Sequence, residues 1–225
     1  MAKQWVKHQV RHNEVQDFLG RAINWGLANR RQAGIVLGSA AGVLLLGGLL
    51  IYRSRSVQSA AWDRLALAQT YAYSGRPDAA LQQIKDLSAE RPAAKATAYG
   101  QLFAGDLLYH QGSYKEAVEA YAKILEREEP KNLVPLALAD TAISLEASGQ
   151  FSQAAGAAQR FLENHSDHFL APQVHACMAR SLQALGQIDQ AKATYQKMSL
   201  QYPDTGWAGW AQARLNPPAP LPLKK

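Results

Sequence analysis

Gly75, Gly112, Gly149 and Gly186 stand 37 residues apart, three intervals in succession. A fixed interval of that length marks a chain made by stacking one supersecondary unit, each copy burying its apolar face against the next. Aligned on these glycines, residues 67–87, 104–124, 141–161 and 178–198 share further columns. Seven residues before the glycine is a small residue (Ala68, Gly105, Ala142, Ala179), and four before it a large apolar one (Tyr71, Leu108, Leu145, Leu182). Five after it is always alanine (Ala80, Ala117, Ala154, Ala191), and twelve after it stand Leu87, Ile124, Phe161 and Met198. A glycine that ends a helix relieves the strain a Cβ suffers in the left-handed conformation. Small residues let paired helices approach closely, and large ones fill the space between pairs.

Composition assigns these units to helix. The chain has 40 Ala against 9 Val, a balance that favours helix over sheet. A helix–turn–helix unit near 34 residues with these columns resembles the tetratricopeptide repeat, with three residues added to each connection. Pro92, Pro130 and Pro203 fall at or beside that pattern's closing proline; the third repeat lacks one. The expected fold is all-α: one transmembrane helix, then a tetratricopeptide-repeat solenoid of about four helix pairs over residues 61–202. Residues 203–215, with Trp207, Trp210, Ala211 and Leu215 near helical spacing, are expected to form a capping helix. Residues 216–225 hold four prolines and read as a Pro-rich tail that cannot continue it.

The transmembrane expectation rests on residues 33–52, AGIVLGSAAGVLLLGGLLIY, which carry no charge. At about 1.5 Å per residue they reach roughly 30 Å, the hydrocarbon thickness of a bilayer. Arg30 and Arg31 precede them, and Arg53 and Arg55 follow before a juxtamembrane linker ends at residue 60. A cleaved signal peptide has a shorter apolar region, about 7–15 residues, after a short basic stretch. Here 32 residues come first, so the mature chain is expected to keep Met1 or Ala2. Basic flanks are balanced close to the span, and the remaining N-terminal lysines and arginines favour an N-terminus inside. Gly34, Gly38 and Gly42 line one stripe where a second helix could pack, although glycine is also common in spans generally. Within the basic segment 1–32, residues 14–30 set Phe18, Leu19, Ile23 and Leu27 at helical spacing, as in an amphipathic helix docked on a membrane surface or a partner.

The formal charge of +6 looks like a nucleic-acid signature until it is divided. Residues 1–32 carry +4 and residues 53–60 carry +2, whereas the body, 61–202, carries −2. Positive charge that flanks an uncharged run points to a membrane, not to nucleic acid. The lone Cys177 cannot form an internal disulfide. His165, His168, His175 and Cys177 match no standard zinc spacing, and no phosphate-binding, hydrolase or metalloprotease motif occurs. No catalytic residue, cofactor, metal or small-molecule substrate is expected, and the protein is read as a non-enzyme.

Surface is what remains. The first helices of such repeats line a concave face, and the usually exposed positions there include Trp62, Leu65, Tyr99, Leu102, Tyr109, Leu136 and Ile143. An aromatic and apolar track of this kind suits an extended or helical segment of a partner protein. The alternative is that these side chains cover neighbouring helices.

Taken together, a basic N-terminal segment, one Gly-rich span and a tetratricopeptide body resemble the bacterial YfgM-like proteins, ancillary subunits of the Sec translocon. The resemblance implies a single-pass inner-membrane protein with a cytoplasmic N-terminus and periplasmic repeats. It also implies partners: the translocon, a membrane-anchored periplasmic chaperone and client polypeptides. The implied role is a scaffold that helps pass translocated proteins to chaperones. Two alternatives stay open: an envelope scaffold coordinating outer-membrane assembly or wall synthesis, and a cytosol-facing docking platform.

Overall fold

The computed structural model describes residues 16–216, all helix and connection with no strand among them. Two compact units divide the chain at Ser56.

In the first unit the described residues begin in a helix, α1, at residues 16–28. Its apolar side chains Phe18, Leu19, Ile23 and Leu27 are exposed. Next comes α2 (Arg30–Tyr73), 44 residues long. It is the one helix among the described residues long and apolar enough to cross a membrane; its mean hydropathy reaches 2.3 and none of that stretch is buried in protein. Around Gly34, Gly38 and Gly42 the space where a side chain would stand is open.

The second unit, from Val57 onward, holds the last part of α2 and α3 (Pro77–Glu90), α4 (Lys95–His110), α5 (Tyr114–Leu125), α6 (Val134–Ala147), α7 (Phe151–Asn164), α8 (Ala171–Ala184), α9 (Ile188–Gln201) and α10 (Gly206–Leu215). From α3 on, each helix packs on its successor, and α6 also touches α8. The four glycines explain the regular turns. All have φ between 75° and 80°, the left-handed conformation that costs any residue with a Cβ. Each donates its N–H three residues back, and the next residue donates five back: Gly75 to Ala72 and Arg76 to Tyr71, at 3.0 and 2.9 Å. The same pair of bonds recurs at Gly112, Gly149 and Gly186. This is the Schellman closure of a helix C-terminus. The carbonyl that takes the longer bond belongs each time to the large apolar column, Tyr71, Leu108, Leu145 or Leu182.

The other columns form the core. Ala80, Ala117, Ala154 and Ala191 are buried, as are Ala68, Gly105, Ala142 and Ala179. Leu87, Ile124, Phe161 and Met198 are buried behind them. At the far end Ala208, Ala211, Trp210 and Leu215 of α10 close over α9, beside Tyr195 and Met198. Thr205 caps α10, its Oγ1 accepting from the Ala208 N–H at 3.4 Å. The proline-rich tail expected at residues 216–225 lies outside the described residues from 217 onward.

Candidate partner-binding groove

Two matching stripes, each at positions i, i+3, i+4 and i+7, face one another from α2 and α4. Trp62, Leu65, Ala66 and Gln69 form the first, and Tyr99, Leu102, Phe103 and Asp106 the second. With Asp63 they line a cavity of about 520 Å³. The rings of Trp62 and Tyr99 lie 5.2 Å apart, tilted by 53°, within the range of favourable aromatic pairs. Asn132 donates to the Tyr99 hydroxyl at 3.0 Å and steadies the second ring. Gly100 lets α4 sit close on α3, since a Cβ there would come to 3.3 Å from Ile84 Cγ2.

Four expected groove residues, Trp62, Leu65, Tyr99 and Leu102, thus share one cavity. They are not equally open to a partner. Trp62 is 42% exposed, but Leu65 only 4%. Leu65 belongs to a core cluster with Ala61, Leu87, Ala94 and Ala96, and supplies floor instead of an exposed contact. Tyr109, Leu136 and Ile143 do not line this cavity. Tyr109 packs its ring 5.3 Å from Tyr114, Leu136 lies against the Tyr121 cluster, and Ile143 against the cluster around Phe161.

Polar chemistry enters from residues that the apolar track leaves out. Tyr121 donates its hydroxyl to Asp106 Oδ1 at 2.8 Å. Burial holds the Asp106 carboxyl above the ordinary range, although the Tyr121 bond pulls the other way. Asp140, on α6, is pushed up to about 7, by burial first and then by the charge of Asp106. Farther along, Arg180 grips Glu146 with both arms of its guanidinium, Nε to Oε1 at 2.5 Å and Nη2 to Oε2 at 2.6 Å. Asp63 and Phe103 neighbour or follow expected residues at helical spacing, a signal that would have found them. Asp140 and Tyr121 gave no such signal, because their link to Asp106 crosses between helices.

His165, His168 and His175 serve packing. His165 and His168 set their rings 5.6 and 5.7 Å from Phe161. His175 is buried, its Nδ1 3.0 Å from the Tyr202 hydroxyl. Among the described residues no three His, Cys, Asp or Glu side chains gather as metal ligands.

Comparison with known proteins agrees with the repeat fold. Tetratricopeptide-repeat family models match residues 65–132 and residues 178–205. The folded body is a tetratricopeptide-repeat solenoid. Its third repeat falls between the two matches and keeps the same turn at Gly149. Similar solved structures include the nearly identical TPR-like repeats assigned to a kinesin light chain of Podosopora anserina. They show 17% identity and a TM-score of 0.55 over 70% of this chain and 84% of that one. A tetratricopeptide repeat protein from Parabacteroides merdae gives 15% identity and a TM-score of 0.59 over 70% of this chain and 59% of that one. MamA (AMB-1) gives 18% and 0.52, over 65% and 76%. These likenesses concern the fold. No curated protein matches the sequence.

Proposed function

We propose that the chain is an inner-membrane scaffold, anchored by residues 33–52, whose tetratricopeptide repeats hold proteins at the Sec translocon and help pass translocated polypeptides to a membrane-anchored periplasmic chaperone. Repeats of this kind serve protein–protein interaction, typically without catalysis. The observation that carries the reading is the pairing, in one chain, of an uncharged bilayer-length helix with a repeat body that presents the Trp62–Tyr99 cavity. The translocon and chaperone come from the layout the chain shares with YfgM-like proteins. In this reading the N-terminus is cytoplasmic, the repeats are periplasmic, and Gly34, Gly38 and Gly42 offer a stripe to a translocon helix. Trp62, Tyr99 and Leu102 hold the partner segment above Leu65, and Tyr109, Leu136 and Ile143 extend the apolar track.

Protease added to intact spheroplasts should digest the repeats, and the detergent-solubilised protein should co-purify with translocon components and a periplasmic chaperone. A Trp62→Ala, Tyr99→Ala, Tyr109→Ala triple variant that folds normally should lose the chaperone, since truncating buried aromatic anchors commonly costs about 2 kcal/mol or more of binding each. Repeats protected in spheroplasts but digested in lysates would place them in the cytosol. A triple variant that retains every partner would make this surface packing alone.

A further inference from the structure

Helix α1 meets α2 through one residue, Asn29, a turn between the two. Asn29 donates its backbone N–H and its side-chain amide to the Trp25 carbonyl, at 2.9 and 3.1 Å, and its own carbonyl accepts the Ala33 N–H at 2.9 Å. The chain bends sharply there. A Cβ built on Gly26 would stand 3.8 Å from the Ala33 Cβ, whereas residues seven apart in one straight helix are separated by about 10 Å along its axis. Gly26 lies in the middle of the α1 apolar stripe, one turn after Ala22 and Ile23 and two turns after Leu19. The stripe therefore looks into the inner angle of the bend. On the outer side stand Asp17, Arg21 and Asn24, with Arg21 Nε donating to the Asp17 carbonyl at 3.2 Å. Phe18, Leu19, Ile23 and Leu27 are each more than half exposed.

Ala33 is also where the uncharged run begins. The bend thus falls where a span at residues 33–52 meets the headgroups, and its inner angle is the side on which the lipid lies. We propose that α1 is an interfacial helix of that same bilayer, lying along its surface with Leu19, Ile23 and Leu27 turned into the acyl boundary and Asp17, Arg21 and Asn24 in water. The inference rests on the membrane-anchor reading above and adds a second contact with the lipid. The bend carries the assignment, since a helix running straight on from α2 would take its apolar stripe away from the membrane. An interfacial helix sinks its apolar face by about 5–10 Å and keeps its polar face wet. Trp25, exposed beside Phe18 at the edge of the stripe, is a residue type that settles at headgroup level. Arg30 and Arg31, in the first turn of α2, stand at the level of the lipid phosphates.

The test uses the full chain in liposomes of phosphatidylethanolamine and phosphatidylglycerol, with a nitroxide on one introduced cysteine at a time. Leu19→Cys and Ile23→Cys label the inner side of α1, Asp17→Cys and Asn24→Cys the outer side, and Leu45→Cys the span. Cys177 is buried and stays unlabelled. Power saturation compares collisions with oxygen, which concentrates in lipid, and with a nickel chelate, which stays in water. The labels at 19 and 23 should favour oxygen several-fold more than those at 17 and 24, at a depth of about 5–10 Å, and the label at 45 should lie deepest. Inner and outer labels that respond alike, while the label at 45 stays in lipid, would overturn the interfacial helix and leave the anchor standing. A label at 19 screened from both colliders would also overturn it, by placing a second copy of the chain over the stripe. A label at 45 open to nickel would overturn the anchor and the interfacial helix together.

Discussion

The phenol ring of Tyr121, on α5, fills the space where a side chain on Gly105, on α4, would begin. A Cβ built on Gly105 would stand 2.3 Å from Tyr121 Cε1 and 2.5 Å from Cζ. The ring cannot swing aside, for it is 1% exposed and tied through its hydroxyl to Asp106. Gly105→Ala should therefore destabilise the protein by roughly 1–3 kcal/mol through overpacking, although alanine is intrinsically better in a helix by about 1 kcal/mol. Pairing it with Tyr121→Ile, the combination the first repeat uses at Ala68 and Ile84, should cost less than the sum of the two changes. A double-mutant cycle by thermal or urea melting measures that coupling. Strict additivity would mean the two sites do not meet.

Ala117 and Ala120 are both shut into the core, at 0% and 5% exposure. The helical position of Ala120 alone would suggest a roomier face. Instead it packs among Ala68, Ala80, Ile84 and Ala104. Ala117→Leu and Ala120→Leu should each cost about 1–3 kcal/mol. Lys123→Leu, on the exposed face of the same helix, should stay within about 0.5 kcal/mol. Melting curves of the three variants decide whether α5 has this orientation.

Asp140 binds its proton more tightly folded than unfolded, its pKa standing near 7 above the ordinary carboxylate value. Between about pH 4 and 7 the folded state thus holds the extra proton, and stability falls as pH rises through that window. Asp106 on α4 shifts the same way, and its charge adds to the effect on Asp140. Asp140→Asn keeps the neutral shape permanently. It should melt higher than the parent at about pH 8 and nearly match it at about pH 4, with the gap opening as pH rises. A constant gap across pH would remove Asp140 as its source.

Leu45 lies mid-way in the uncharged run and is exposed. If that run spans a bilayer, Leu45→Arg puts a charge near its centre, at about 2.5–3.5 kcal/mol on insertion scales. The parent should stay with membranes through alkaline carbonate washing, and the variant should partly appear in the wash. Identical behaviour of the two would argue against a span at these residues.

Backbone requirements were the legible part of this fold. A left-handed residue after a helix, or two helices in near contact, needs glycine or alanine at one position, so those columns stand out in the sequence. Depth along a stripe was not legible. Trp62 and Leu65 occupy equivalent-looking positions one turn apart, yet Leu65 sinks because Leu87, Ala94 and Ala96 converge on it from later in the chain. Links between repeats stayed hidden for a similar reason. Tyr202 reaches His175 across 27 residues, and Arg180 reaches Glu146 across 34, with no local pattern to announce either pair. The candidate cavity was half readable: its rings follow from repeat position, but the carboxylate chemistry depends on how α5 presents Tyr121 to Asp106.

Cys177 is wholly enclosed, its Sγ–H directed at the Ala142 carbonyl across the seam between α6 and α8. Burial, and then the nearby Glu146 charge, raise its pKa and keep it a thiol. Reagents that alkylate thiolates can reach it only when the later repeats separate. The protein thus carries its own stopwatch. Added maleimide would record each opening as one irreversible mass increment, without denaturant. New cysteines placed on the surface for topology mapping would react in seconds against a silent background, with no need to remove the natural one.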